Sequence, residues 1–278
     1  MKMAQKKTLG LFDISSMTVL SLVTLIFIFP FYWVVTGSFK TDIQSQLLPP
    51  IWWPTQPTLV SYFSLFKNPV LKWFGNSFII SLATMALVCV VSSMAGYVLA
   101  KKRFYGKALI FTILVSAMAL PKQVVLVPLV QLIGFLGFKN TLWACILPAV
   151  GWPFGVFLMK QFSETLPGEL LEAAKIDGCT EFDTFIRIVL PIVKPGVAAL
   201  AIFTFISSWN DYFLQLIMLT SRNKLTLQLG IATMQSEFSS NYGQLMAGAT
   251  IAAIPIVLVF FLFQKSFTQG ITMGAVKG

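Results

Sequence analysis

Histidine is absent from this chain of 278 residues, and charged residues make up only 11% of it. Without histidine the chain has no Ser-His-Asp or Cys-His arrangement, and it lacks the commonest metal ligand and general base. Its three cysteines, Cys89, Cys145 and Cys179, are an odd set that indicates no disulfide framework. No GxxxxGK[ST] sequence occurs, so any ATP must bind to a partner. We therefore expect no enzymatic chemistry and no cofactor in this chain.

Hydrophobic residues are abundant instead, at 56% of the chain, which is too many for a water-soluble globule. Six continuous apolar runs each approach the ~20 residues that a helix needs to cross a bilayer. They lie at about 17–38, 76–100, 107–130, 141–160, 196–219 and 246–267. The sequence predicts an all-α membrane protein, a six-transmembrane-helix bundle, with residues 1–278 forming a single domain.

The lysines and arginines predict the orientation of these spans. The basic start is followed by an apolar run with no A-x-A cleavage site, which indicates a retained signal anchor. Most of the 20 lysines and arginines fall on the side of the two termini, and seven fall on the other side, namely Lys40, Lys67, Lys72, Lys122, Lys139, Arg222 and Lys224. By the positive-inside rule both termini face the cytoplasm.

Several prolines lie inside the predicted spans. These are Pro121 and Pro128 in the third span, Pro148 and Pro153 in the fourth, and Pro255 in the sixth. One interpretation is kinked helix packing, and the other is broken helices that line a solute path. From the sequence, kinked packing is the favoured interpretation for any single proline.

One segment, about 167–191, is charged and rich in alanine although it separates two apolar spans. Pro167 suits a first helical turn, and Gly178 is a natural C-terminal stop. A second short helix is predicted from about Glu181 to a point before Pro191. The result is an elbow of two helices outside the bilayer.

The surface of the first elbow helix favours a protein partner. Ala173 and Ala174 let another surface approach the backbone, and Glu172 offers an anion beside them. The alternative is an amphipathic helix on the inner leaflet, which should carry a lysine-rich polar face. This helix carries Glu169, Glu172 and Asp177 against one lysine, so docking to a protein is the preferred interpretation.

These residues resemble a known signature. Glu172-Ala173-Ala174, three residues, Gly178, nine residues, then Ile188-x-Leu190-Pro191 is similar to the EAA motif of bacterial ABC-importer permeases. The stretches "IDGC", "RIVLPIVKPG", "SSWNDYF", "TLVSYFSLF" and "GAVKG" resemble the smaller permease subunit of maltose-type carbohydrate importers. The resemblance covers nearly the whole chain.

The resemblance implies a function and a set of partners. The segment between spans four and five would be the cytosolic coupling helix, with Glu172, Ala173, Ala174, Asp177 and Gly178 as its ATPase-coupling residues. The chain would pair with a second homologous permease, a cytosolic ATPase dimer that holds ATP and Mg²⁺, and an extracytoplasmic solute-binding protein. Its place would be the bacterial cytoplasmic membrane, and its cargo a sugar. The terminal "GITMGAVKG" would reach into the ATPase dimer, unless it is a disordered tail.

Three residues deep in the fifth span are candidates for the substrate path: Trp209, Asn210 and Asp211. An aromatic face stacks on sugar C–H groups, and amide and carboxylate groups bond to hydroxyls. The alternative is that Asn210 and Asp211 bond to the partner permease across a helix interface.

Other functions remain open at this point. An ion-coupled secondary transporter needs intramembrane carboxylates, and only Asp211 lies within a predicted span. A membrane scaffold or receptor would have no associated ATPase. An ABC importer of amino acids, phosphate or metals would share the EAA motif but not the "SSWND" and "GAVKG" stretches.

Overall fold

The computed structural model describes residues 10–237 and 241–275, and it describes side chains from 12 to 234 and from 241 to 263. Within these ranges the chain is helical and contains no β-strand. Contacts divide it into two compact units. The first falls within Met1–Asn68 and Met234–Ile251, and the second falls within Pro69–Thr233 and Ala252–Gly278.

The helices are labelled α1 to α15 in chain order. They are α1 Leu11–Ser38, α2 Asp42–Gln46, α3 Val60–Phe66, α4 Val70–Lys101, α5 Lys107–Ala117, α6 Leu126–Phe135, α7 Trp143–Val150, α8 Pro153–Glu164, α9 Gly168–Ile176, α10 Glu181–Thr184, α11 Leu190–Ile192, α12 Lys194–Trp209, α13 Phe213–Met218, α14 Leu227–Glu237 and α15 Tyr242–Ala275. Lys122–Val125 and Arg222–Lys224 form 3-10 turns, and Phe185–Val189 forms a π-helix.

Three segments are long and apolar enough to cross a membrane by themselves: Phe12–Ser38, Val70–Lys101 and Tyr242–Phe263. Three further pairs of helices reach that length together but are bent, by 102° between α5 and the helix after Pro121, by 42° between α7 and α8, and by 78° at the start of α12. The described residues therefore supply between three and six crossings. The predicted class of helical membrane protein is confirmed, and the count of six depends on treating each bent pair as one span.

The breaks fall partly at the prolines that the sequence marks. Pro121 precedes the 3-10 turn after α5, and Pro153 begins α8. Pro148 and Pro255 lie inside α7 and α15 without ending them. The predicted fifth span, 196–219, is not one helix, because α12 ends at Trp209 and α13 begins only at Phe213.

In the first unit, polar contacts hold the loop after α1 against the end of that helix. The Tyr32 hydroxyl donates to the Trp52 carbonyl at 2.9 Å, and the Lys40 ammonium donates to the Ile51 carbonyl. Lys40 also lies over the Trp33 ring, 4.2 Å from its centroid. The Trp52 side chain remains largely exposed.

In the second unit, α4 and α8 pack backbone to backbone. A Cβ atom at Gly96 would lie 2.7 Å from the backbone of Met159 and Lys160, and one at Gly155 would lie 2.4 Å from the Ser92 hydroxyl. Only glycine permits this approach. The two helices therefore form a close pair in the middle of the unit.

The predicted orientation can be tested at two exposed positions. In a cysteine-free background, Lys67→Cys should react with a membrane-impermeant thiol reagent in intact cells, because the positive-inside rule places it outside. Tyr105→Cys, at the fully exposed loop between α4 and α5, should react only after permeabilisation. The opposite labelling pattern would contradict the orientation.

Candidate functional site

A cavity of about 680 Å³ lies within the second unit. This volume is within the range of ligand sites, ~300–1,000 Å³. Its polar lining consists of Thr84, Lys122, Gln123, Thr204, Ser207, Ser208, Asn210, Asp211, Tyr212 and Gln215. Aromatic residues contribute Trp152, Phe154, Phe203 and Phe213.

The cavity lies where three helices are interrupted. Lys122 and Gln123 follow the break at Pro121, Trp152 is in the break before Pro153, and Asn210 and Asp211 are in the break after α12. Interrupted helices in a membrane are tolerated where they line a polar cavity. The geometry at Pro121 and Pro153 thus favours the solute-path interpretation over simple kinked packing.

Asn210 and Asp211, two of the predicted path residues, both line the cavity. Asp211 Oδ1 accepts a hydrogen bond from the Leu214 N–H at 3.2 Å, which caps the start of α13. Asn210 is exposed. Beneath them the buried Gln215 side chain donates to the Ser208 carbonyl at 3.2 Å and accepts from the Thr226 hydroxyl. The interruption is therefore held by side-chain hydrogen bonds.

Trp209 occupies a different position from its neighbours. Its side chain is fully buried, its indole N–H donates to the Ala252 carbonyl at 3.1 Å, and its ring stacks on Phe205 at 5.9 Å. It does not belong to the cavity lining. The geometry places Trp209 as support behind Asn210 rather than as a contact surface.

Lys122 and Trp152 are among the cavity residues that the sequence did not predict. The Lys122 ammonium lies 4.6 Å from the centroid of the Trp152 ring, a cation–π distance. The available signal was a lysine inside the predicted third span, where a charge is costly unless it meets a partner or a polar cavity. The positive-inside rule counts Lys122 only as a loop charge, which hides this signal.

The predicted elbow begins with α9, which matches the sequence expectation closely. Pro167 precedes its first turn, and Gly178 follows it with φ +76°. The Gly178 N–H donates to the Lys175 carbonyl at 3.1 Å, and the Cys179 N–H donates to the Ala174 carbonyl at 2.9 Å. This is the Schellman pattern, and its left-handed position suits glycine.

The helix α9 has one buried and one exposed face. Ala174 is buried, while Glu169, Glu172, Ala173 and Ile176 are exposed. Ile176 is 86% exposed, and no ion pair or hydrogen bond to the Glu172 side chain occurs among the described residues. The exposed surface of α9 therefore carries both an apolar side chain and a carboxylate.

The second half of the elbow differs from the prediction, which ended its helix before Pro191. The chain instead continues from α10 through the π-helix Phe185–Val189 into α11, with Pro191 in its first turn. The Leu190 N–H donates to the Phe185 carbonyl, one residue further back than in an α-helix. The wider turn leaves room for the proline ring and does not need the N–H that proline lacks.

Most of the chain matches a known protein family. Residues 90–273 match the family described as binding-protein-dependent transport system inner membrane component. The chain belongs to this permease family. Together with the relatives named below, this match confirms the resemblance to carbohydrate ABC-importer permeases, and the protein is a multi-pass component of the cytoplasmic membrane.

Relatives of this permease match it along almost its whole length. The arabinooligosaccharides transport system permease protein AraQ of Halalkalibacterium halodurans is 37% identical over 260 residues, covering 92% of this chain and 93% of that protein. The lactose transport system permease protein LacG of Rhizobium radiobacter is 35% identical, covering 95% and 96%.

A solved structure supports the fold. A chain of a bacterial ABC transporter involved in the import of the acidic polysaccharide alginate superimposes with a TM-score of 0.77 and 18% identity, covering 96% of this permease and all of that chain. At this identity the match speaks for the fold alone.

The cap at Asp211 yields a stability prediction. Asp211→Ala removes the acceptor of the Leu214 N–H and should lower the stability of the purified permease by about 1 kcal/mol. Asp211→Asn keeps an acceptor at the same position and should melt close to the parent. Equal melting temperatures for Asp211→Ala and the parent would contradict a capping role.

Proposed function

We propose that this permease is one of two membrane subunits of an ABC importer that moves a sugar or oligosaccharide into a bacterial cell. The observation that carries the proposal is the match, over more than nine tenths of the chain, to permeases named for arabinooligosaccharide and lactose transport. A solute-binding protein would deliver the cargo. A structural neighbour has been solved with an alginate pentasaccharide-bound periplasmic protein, at 12% identity and a TM-score of 0.61.

The cavity supplies chemistry that suits such a cargo. A sugar presents hydroxyls that donate and accept hydrogen bonds and C–H faces that stack on aromatic rings. Asn210, Asp211 and Gln123 can bond to hydroxyls, and Trp152 and Tyr212 offer rings in the same lining. We assign the substrate path to Asn210 and Asp211, with Trp209 behind them.

The elbow would dock on the ATPase. Its exposed face, formed by Glu169, Glu172, Ala173 and Ile176, combines an acidic and an apolar part. A groove on the ATPase with a basic rim and an apolar floor would complement it. Asp177 and Gly178 would fix the end of this coupling helix, since they form its C-terminal cap. ATP and Mg²⁺ would bind to the ATPase dimer and not to this chain.

The arrangement in the membrane follows from the same assignment. With the elbow in the cytoplasm, both termini face inward and each bent pair crosses once, which gives six spans. The C-terminal stretch is helical as far as Ala275, and residues 276–278 lie outside the described residues. Docking of this tail in the ATPase dimer stays a prediction.

Charge reversal at Glu172 tests the docking assignment. Glu172→Lys should abolish co-purification of the ATPase with the membrane complex and stop ATP-driven uptake, because an attractive pair becomes a like-charge contact. Asp13→Lys, an equal charge change at the exposed start of α1, is the control and should retain both. Retained ATPase binding and uptake in Glu172→Lys would refute the assignment.

Substitution of Asn210 tests the path assignment. Asn210→Ala should change the uptake rate of lactose or an arabinooligosaccharide about five- to tenfold with the complex intact, which corresponds to one or two lost hydrogen bonds.

Asn223→Ala removes an equal side chain at an exposed position outside the cavity and should behave as the parent. Loss of the assembled complex in Asn210→Ala would instead support a role at the interface with the second permease. Parental uptake of every sugar would exclude contact with cargo.

A further inference from the structure

The cytoplasmic end of α4 holds the elbow on both sides of α9. The Lys101 ammonium donates to the Leu166 carbonyl at 2.6 Å and to the Glu164 carbonyl at 3.1 Å, just before α9 begins. The next residue, Lys102, forms an ion pair with Glu181, just after the Gly178 turn. Two consecutive lysines therefore contact the chain where it enters and leaves the coupling helix.

The ion pair is accompanied by aromatic contacts. The Lys102 ammonium lies 5.3 Å from the centroid of the Tyr97 ring, and Tyr97 contacts Phe185 of the elbow with ring centroids 5.8 Å apart. The hydrogen bond from the Lys102 ammonium to Glu181 holds the pKa of the Glu181 carboxyl below its ordinary value, so this carboxylate is ionised at neutral pH. The contact between α4 and the elbow therefore combines one ion pair with one pair of aromatic rings.

The same helix reaches the cavity. Ile80, Thr84 and Val88 of α4 line it, several turns before Lys101. Val88 and Leu200, both cavity residues, belong to one buried apolar cluster with Tyr97, Phe185 and Val189. The close contact of α4 with α8 at Gly96 limits independent sliding of either helix. A displacement of the elbow that reaches α4 therefore also moves one wall of the cavity.

We propose that the Lys102–Glu181 pair is a positioning contact that transmits movement of the coupling elbow to α4 and so to the cavity. The inference rests on the proposed docking of α9 to an ATPase. Without the pair, the elbow would remain attached through α8, and its far side, after Gly178, would be held to α4 only by apolar contacts such as that of Phe185 with Tyr97. The result would be ATP hydrolysis with weakened opening and closing of the cavity.

The experiment reads the cavity directly and needs no identified sugar. In a cysteine-free background of the complete importer, Gln123→Cys places a thiol in the cavity lining. Its reaction rate with a small thiol reagent is measured with and without ATP and vanadate. In the parent the two rates should differ, because the ATPase-driven state changes access to the cavity.

Single charge reversals should weaken this response. Lys102→Glu and Glu181→Lys should each reduce the ATP-dependent change in labelling about fivefold, as expected for loss of a partly exposed pair and its replacement by like charges. The double variant Lys102→Glu/Glu181→Lys should recover most of the parental response. Arg103→Glu is the matched control, since it makes the same charge change one residue away at a side chain with no polar contact among the described residues.

The outcomes separate the inference from the proposed function. An equal loss in Arg103→Glu, or no recovery in the double variant, would overturn the positioning role of the pair. So would loss of ATPase co-purification in the single variants, because the pair would then shape the docking face itself. If the parent complex binds no ATPase, the proposed function fails before the pair is tested.

Discussion

Hydrogen bonding of the backbone is the constraint on which this structure depends. In the hydrocarbon core each unpaired N–H or C=O group costs several kcal/mol, so a chain can leave the helical conformation only where protein or water satisfies it. Among the described residues the helix breaks after α5, α7 and α12 converge on one cavity, whose lining includes several polar side chains. The cavity allows the helices to be interrupted there. The interruptions place four side chains in its lining: Lys122, Trp152, Asn210 and Asp211.

The break after α12 shows how such an interruption is stabilised. Asp211 caps the following helix, and the buried Gln215 satisfies both the Ser208 carbonyl and the Thr226 hydroxyl. Trp209 fills the space behind with an apolar ring whose single polar group is bonded to Ala252. At this break Trp209 is buried support, whereas Asn210 and Asp211 both line the cavity.

The elbow lies at the other end of the same helices. The chain turns at the Gly178 Schellman pattern and bends again, by 78°, at the start of α12, and the elbow exposes Glu172 and Ile176. Its apolar side joins the cluster that includes Val88 and Leu200 of the cavity wall. The unit therefore contains a continuous packed route between the elbow and the cavity.

The sequence by itself determined the class of protein, the family and the start and stop of the helix α9. These depend on local chemistry: apolar length, the proline at Pro167 and the glycine at Gly178 act within a few residues of chain. The tertiary structure decided which polar residues of the spans face a common space. Lys122, Trp152 and Asn210 lie far apart in sequence, and only the packing of α4 against α8 and α12 brings them to one cavity. Trp209 and Asn210 are adjacent in the chain but have opposite environments, because the helix α12 ends between them.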